Sequence, residues 1–171
     1  MYKTFKESYS YFKEIVELCN NLIKSHGNFE YPTDGQVAIQ TDTPDIDNWY
    51  AGTGRSDART KEWEHSFCHL QPSLQGTVIE DYIKWLDIPV YRARIMIARE
   101  RGCYSIHRDF SPRLHLPLVT NSQCNFLITE PLTMFHLPAD GTTTWVNTTK
   151  PHTFINGSIH KRLHLVMIVE N

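Results

Sequence analysis

The sequence predicts a mainly β protein, a sandwich or barrel with flanking helices packed outside it. Three observations lead there. Helical periodicity is confined to the first half of the chain, and a train of short apolar runs broken by Gly, Pro, Asn and Asp follows Pro89. Nowhere do strands and helices alternate as a parallel βαβ sheet requires. The 171 residues suit one domain and are enough to bury a sizeable core. No linker divides them, so residues 1–88 read as helical and loop support for a β core at 89–171.

The elements follow in order. Phe5, Tyr9, Phe12, Val16, Cys19 and Ile23 recur at steps of three and four, which predicts a first helix. Thr4 and Glu7 fit its capping box and Gly27 its stop. "QVAIQ" at 36–40 reads as a strand. The polar stretch 41–60, rich in Gly, Pro and Asp, reads as a loop and a candidate lid carrying Trp49, Tyr50, Arg55 and Asp57. A second helix is expected over 78–86, with Thr77 and Glu80 as capping box and Pro89 beyond its end. After it, "VYRARIMIA", "RLHLPLV", "CNFLIT", "TMFHL", "TTTWVN", "HTFIN" and "KRLHLVMIV" read as strands.

Charge excludes several partners. Seventeen basic and 19 acidic residues give a net charge of -2, with a pI near 6.5. That leaves no basic surface for nucleic acid or anionic membrane, and no run approaches the roughly 20 apolar residues of a membrane span. The first 19 residues are amphipathic and carry Glu, unlike a signal peptide. The four cysteines, Cys19, Cys68, Cys103 and Cys124, form no CxxC pair. Reduced thiols in a cytoplasmic protein are therefore expected.

"RLHL" occurs twice, at Arg113–Leu116 and Arg162–Leu165. Residues two apart on a strand share a face, so Arg113 and His115 point one way and Leu114 and Leu116 the other. The same holds for Arg162 and His164. Nearby, "HRD" sets His107 and Asp109 two apart, and His152 precedes Arg162 by ten residues. Two imidazoles and a carboxylate leave one face of a metal open, the arrangement of non-haem Fe(II) oxygenases. An adjacent Arg offers a bidentate partner for a dicarboxylate.

The ordered set "HRD", "RLHLPLVTN", Gly141, Trp145, "PHTFIN" and "KRLHLV" resembles the aspartyl/asparaginyl β-hydroxylase family of Fe(II)/2-oxoglutarate oxygenases. The likeness spans about residues 92–169. It implies a double-stranded β-helix (jelly-roll, cupin-like) core. It also implies His107, Asp109 and His152 as iron ligands and Arg162 on the distal carboxylate of 2-oxoglutarate, with Arg113 and His115 beside that co-substrate. Dioxygen (O2) would be consumed, succinate and CO2 released, and an aliphatic C–H of an amino acid or peptide hydroxylated. Some vertebrate members of the family run on two histidines without a carboxylate; Asp109 restores the fuller triad. The family's Pro-Gly turn before the first His is here "ERGCYSIH", keeping only Gly102.

For the substrate, a small molecule or peptide, Trp145 and Tyr104 are candidates at the cavity mouth. Arg99, Arg92 or Arg94 can pair with a carboxylate, and Asn156 either orients the loop after His152 or forms a turn. His164 and His136 receive no assigned role. A cupin-type metalloenzyme that does not use 2-oxoglutarate, and a non-catalytic binding barrel, stay open on the residues alone.

Overall fold

The computed structural model describes residues 1–27, 35–54 and 60–170. Strand β1 (Tyr2–Lys6) is followed by α1 (Phe12–His26), β2 (Gln36–Ala38), β3 (Gln40–Thr41), α2 (Lys61–Ser66), β4 (His69–Leu70) and α3 (Val78–Leu86). Eight strands then run without an intervening helix. These are β5 (Tyr91–Ala98), β6 (Gly102–Cys103), β7 (Arg113–Val119), β8 (Cys124–Thr129), β9 (Leu132–Phe135), β10 (Thr143–Val146), β11 (His152–Asn156) and β12 (Arg162–Ile168).

Their connectivity decides the architecture. One sheet has the order β1-β10-β7-β12-β5-β2, the other β6-β11-β8-β9. Of the eight consecutive strands, the first, third, sixth and eighth share one sheet. The second, fourth, fifth and seventh share the other, and every pairing is antiparallel. This is the jelly roll, a double-stranded β-helix.

The core follows from strand parity. Leu114, Leu116, Leu163 and Leu165 turn to the outer face of the six-stranded sheet, where they pack with Ile15, Cys19 and Leu22 of α1 and Ile79, Tyr82 and Leu86 of α3. Burying each such Leu or Ile contributes about 1.5–3 kcal/mol. The opposite face, with Phe126, Ile128, Phe135 and Phe154 from the smaller sheet, forms a second apolar cluster inside the roll. None of the described helices is long and apolar enough to cross a membrane.

The N-terminus departs from expectation. Residues Tyr2–Lys6 form an edge strand on β10, not the first turn of a helix, and α1 begins at Phe12 with no side-chain cap. Tertiary pairing overrides the local period: Tyr2 stacks on Phe135 with ring centroids 3.9 Å apart, and the Tyr9 N–H donates to the Gly141 carbonyl at 3.1 Å. Gly141 has φ 86°, and a Cβ there would meet Ser8 Oγ at 2.6 Å, so only glycine permits this docking. Gly27 follows the last helical residue as expected. Helix α3 has the expected bounds with a different cap: Glu80 Oε2 accepts from the Gly76 N–H, and the Thr77 hydroxyl donates to the Leu74 carbonyl.

Much of the stretch expected as a lid is pinned. The Trp49 ring stacks on His26 at 4.3 Å, its carbonyl accepts from the Ala38 N–H, and the Gln71 amide clasps both backbone groups of Asn48. Arg55 and Asp57 lie outside the described residues. Helix α2, which the sequence reading left unassigned, starts at a Thr60 cap that accepts from the Trp63 N–H.

Candidate metal centre and its cavity

The segment carrying His107 and Asp109 is clamped to the start of β11. His107 and His152 exchange backbone hydrogen bonds at 3.0 and 2.9 Å, and the Asp109 N–H donates to the Thr148 carbonyl at 2.9 Å. Residues 45 apart in the chain thereby stand side by side. One ligand atom from each of His107, Asp109 and His152 falls in a set within 4.8 Å of one another.

The ring orientations suit a metal. His107 Nδ1 lies 2.8 Å from the Ser105 carbonyl and His152 Nδ1 2.9 Å from the Lys150 carbonyl. A carbonyl only accepts, so each Nδ1 carries the proton and each Nε2 keeps its lone pair for a metal. Burial lowers the His152 pKa, with the Lys150 carbonyl only partly offsetting it, which keeps that lone pair available near neutrality.

Asp109 belongs to a buried chain of alternating charge. Its Oδ2 accepts from Arg113 Nε at 3.1 Å; Arg113 Nη2 donates to Glu64 Oε1 at 2.6 Å, and Arg92 Nη1 donates to the same oxygen at 3.0 Å. Burial alone would raise the Asp109 pKa, but the charge and hydrogen bond of the Arg113 guanidinium hold it well below the usual carboxylate range. The carboxylate is therefore ionised whether or not a metal is present. Arg113 lines the cavity with Nε and Nη2 committed to Asp109 and Glu64, which leaves its Nη1 without a partner among the described residues.

A cavity of about 450 Å³ runs inward from this centre. Arg162 lines it, 2 % exposed, its guanidinium carbon 3.8 Å from the Phe154 ring centroid and 5.9 Å from that of Phe126. One of its nitrogens donates to His164 Nδ1. Among the described residues no carboxylate pairs with Arg162, and its Nε has no partner. Burial pulls its pKa down to about 9. A desolvated guanidinium without an anion is costly, and this one faces a cavity.

His115 shares the lining and lies against His164, Nδ1 to Nδ1 3.4 Å. With His164 Nδ1 accepting from Arg162, His115 Nδ1 is the donor in that contact. His164, to which the sequence assigned no role, thus orients Arg162 from behind.

No family model matches the chain, and a search of curated proteins finds no match. Among solved structures, a cupin domain from Bordetella pertussis Tohama I is similar at 16 % identity, over 48 % of this chain and 82 % of that one, with a TM-score of 0.40. The jelly-roll assignment rests on the chain's own strand order.

The residues expected to meet a substrate divide. Tyr104 lines the cavity. Trp145 does not: it pairs with Leu114 on the outward parity of β10, packs against the helix-side core and takes Lys3 over its ring at 5.5 Å. Arg99 is exposed at the β5–β6 turn and borders a separate cavity of about 200 Å³. Asn156 is buried and turned to backbone: its amide donates to the Arg99 and His160 carbonyls at 2.9 Å, and its oxygen accepts from Ser158. It organises the turn that leads into Arg162. Of the other two arginines, Arg94 lines the cavity and Arg92 holds Glu64. The His136 ring nitrogen Nδ1 lies 2.8 Å from the Cys124 carbonyl, a structural bond. Sequence reasoning missed Glu64, and no local signal marks it: a Glu in a six-residue helix ordinarily faces water.

The two buried imidazoles predict acid sensitivity. Burial first, then the Arg162 charge, pushes the pKa values of His115 and His164 well below the ordinary value. A histidine held neutral in the fold contributes stability above its unfolded pKa of about 6.5 and loses it as pH falls below that value. Between pH 7.5 and 5.5 the metal-free protein should lose about 2–3 kcal/mol for the pair, read as a drop in urea midpoint. A flat midpoint would mean that both rings accept protons in the folded state.

Proposed function

We propose that this chain is an Fe(II)/2-oxoglutarate-dependent oxygenase that hydroxylates an aliphatic C–H of an amino acid or peptide side chain, releasing succinate and CO2. The observation that carries the reading is one cavity with two complementary features. A facial set of His107, Asp109 and His152 stands at one place on its wall, and Arg162, a buried guanidinium with no anion among the described residues, stands at another. The donor set fits ferrous iron in ligand type and tautomer, and it leaves coordination positions open. The motif resemblance to aspartyl/asparaginyl β-hydroxylases points the same way.

When bound, ferrous iron and the 2-oxo acid together supply dioxygen activation, and the protein supplies position and a dry site. His107, Asp109 and His152 would hold the metal, with Arg113 keeping Asp109 aimed and ionised. Arg162 would take the distal carboxylate of 2-oxoglutarate, its plane set by Phe154 and His164. Phe126, Phe154, Met96 and Val166 give that end apolar walls that exclude water. A barrel metalloenzyme that uses no 2-oxo acid would leave Arg162 buried with nothing to bind.

The test is a succinate-release assay with Fe(II), ascorbate and 2-oxoglutarate across free amino acids and peptides, paired with a Co(II) or Mn(II) titration. Micromolar metal binding and substrate-dependent succinate are expected. A protein that binds none of these ions refutes the reading.

A further inference from the structure

The buried carboxylate of Glu64 is not a ligand in the set above, yet it sits one residue behind it. We propose that Glu64 is a positioning residue for the metal centre: it locks Arg113 against Asp109 and so makes docking of α2 and retention of the metal a single event. The inference rests on the metal-centre reading.

The geometry carries it. A guanidinium is a planar fork, so fixing one edge sets the direction of the others. Arg113 gives Nη2 to Glu64 and Nε to Asp109, and both Arg113 and Glu64 are almost wholly buried. Without Glu64, Asp109 would be the one carboxylate left on Arg113 among the described residues. Arg113 could then no longer hold one orientation.

The surrounding structure is built to present Glu64 there. Arg92 sits at φ 47°, a left-handed position unfavourable for a non-glycine residue, at a bulge between β5 and β12. What keeps it there comes from Gly52, Trp63 and Phe67. Its N–H donates to the Phe67 carbonyl at 2.7 Å, its Nε to the Gly52 carbonyl at 2.8 Å, and its guanidinium lies 4.7 Å from the Trp63 ring centroid. The bulge thus turns Arg92 onto the inner side of α2, where it grips the oxygen of Glu64 that Arg113 also uses. The chain of contacts runs from helix to arginine to metal carboxylate without a gap. By linkage, whatever holds Asp109 in place favours α2 docking, and docking favours metal.

Two measurements test this: Co(II) titration of the wild-type protein and Glu64→Gln, and hydrogen exchange of the α2 amides with and without Co(II). Glu64→Gln should bind Co(II) about tenfold more weakly, the low end of outer-shell effects. In the wild type, Co(II) should slow exchange at the α2 amides, and in Glu64→Gln that protection should vanish. A folded Glu64→Gln with wild-type Co(II) affinity overturns the proposal and leaves the oxygenase reading intact. So do α2 amides indifferent to Co(II) in the wild type, a comparison that decides the matter even if the variant fails to fold. Wild-type protein that binds no Co(II) removes the metal centre and this inference with it.

Discussion

Arg162→Met should cost more than a hundredfold in affinity for a 2-oxo dicarboxylate while leaving the melting temperature within a few degrees of the wild type. The two halves have different physical origins. A bidentate guanidinium–carboxylate pair in a dry cavity is charge-assisted, and truncating one partner of such a buried pair costs about 2–5 kcal/mol. In the unliganded protein the same guanidinium is a burden, because it is 2 % exposed and faces no carboxylate among the described residues. Replacing even a buried ion pair by well-packed apolar residues is often neutral or stabilising by about 1–4 kcal/mol, and a buried cation that faces no carboxylate has less attraction to lose. Against that gain, His164 Nδ1 loses the nearer of its two donors and keeps only His115 at 3.4 Å, which costs part of the about 1–3 kcal/mol of an unmet buried acceptor. The terms nearly cancel. Calorimetric titration of Co(II)-loaded protein with N-oxalylglycine reads the first half, and thermal melts of the apo protein read the second. Unchanged affinity would show that Arg162 is not the anion receptor. A melting point lower by ten degrees would show that its charge has a partner in the fold.

The contrast between the two "RLHL" segments shows how far the sequence could be read. Strand parity was legible: in both, the leucines enter the helix-side core and the Arg and His turn inward. What each arginine pairs with was not legible. Arg113 is claimed by Glu64, which arrives from a six-residue helix 49 positions upstream, while Arg162 is claimed by no acid among the described residues. Partner choice depends on elements remote in sequence, and no local spacing encodes it.

Trp145 failed for a related reason. Alternation puts it opposite Thr144, but only the register of β10 against β7, Trp145 beside Leu114, says which parity is the lumen. The gathering of His107, Asp109 and His152 was legible through the ordered motif resemblance, with the short spacing of "HRD" beside it. Strand β1 was not, since its period was read as helical and the edge of β10 that captures it lies more than 130 residues away.

Asp109→Ala should abolish metal retention at micromolar concentrations, a loss of more than a hundredfold, and should also destabilise the metal-free protein by about 2 kcal/mol. Removing a ligand must cost more than disturbing an outer-shell partner, which sets the first magnitude. The second follows from the ion pair with Arg113 at 3.1 Å, four-fifths shielded from solvent on the Asp109 side. Because the Asp109 pKa is held down in the fold, its contribution is present above the unfolded value near 4 and fades as pH falls toward the folded value. The variant and the wild type should therefore differ in urea midpoint at pH 7 and converge in strong acid. Arg113 keeps Glu64 as a partner throughout, so the variant stays folded and its metal affinity is measurable. Co(II) binding at wild-type strength in Asp109→Ala would reduce Asp109 to the far end of a structural ion pair, with the two histidines alone holding the ion.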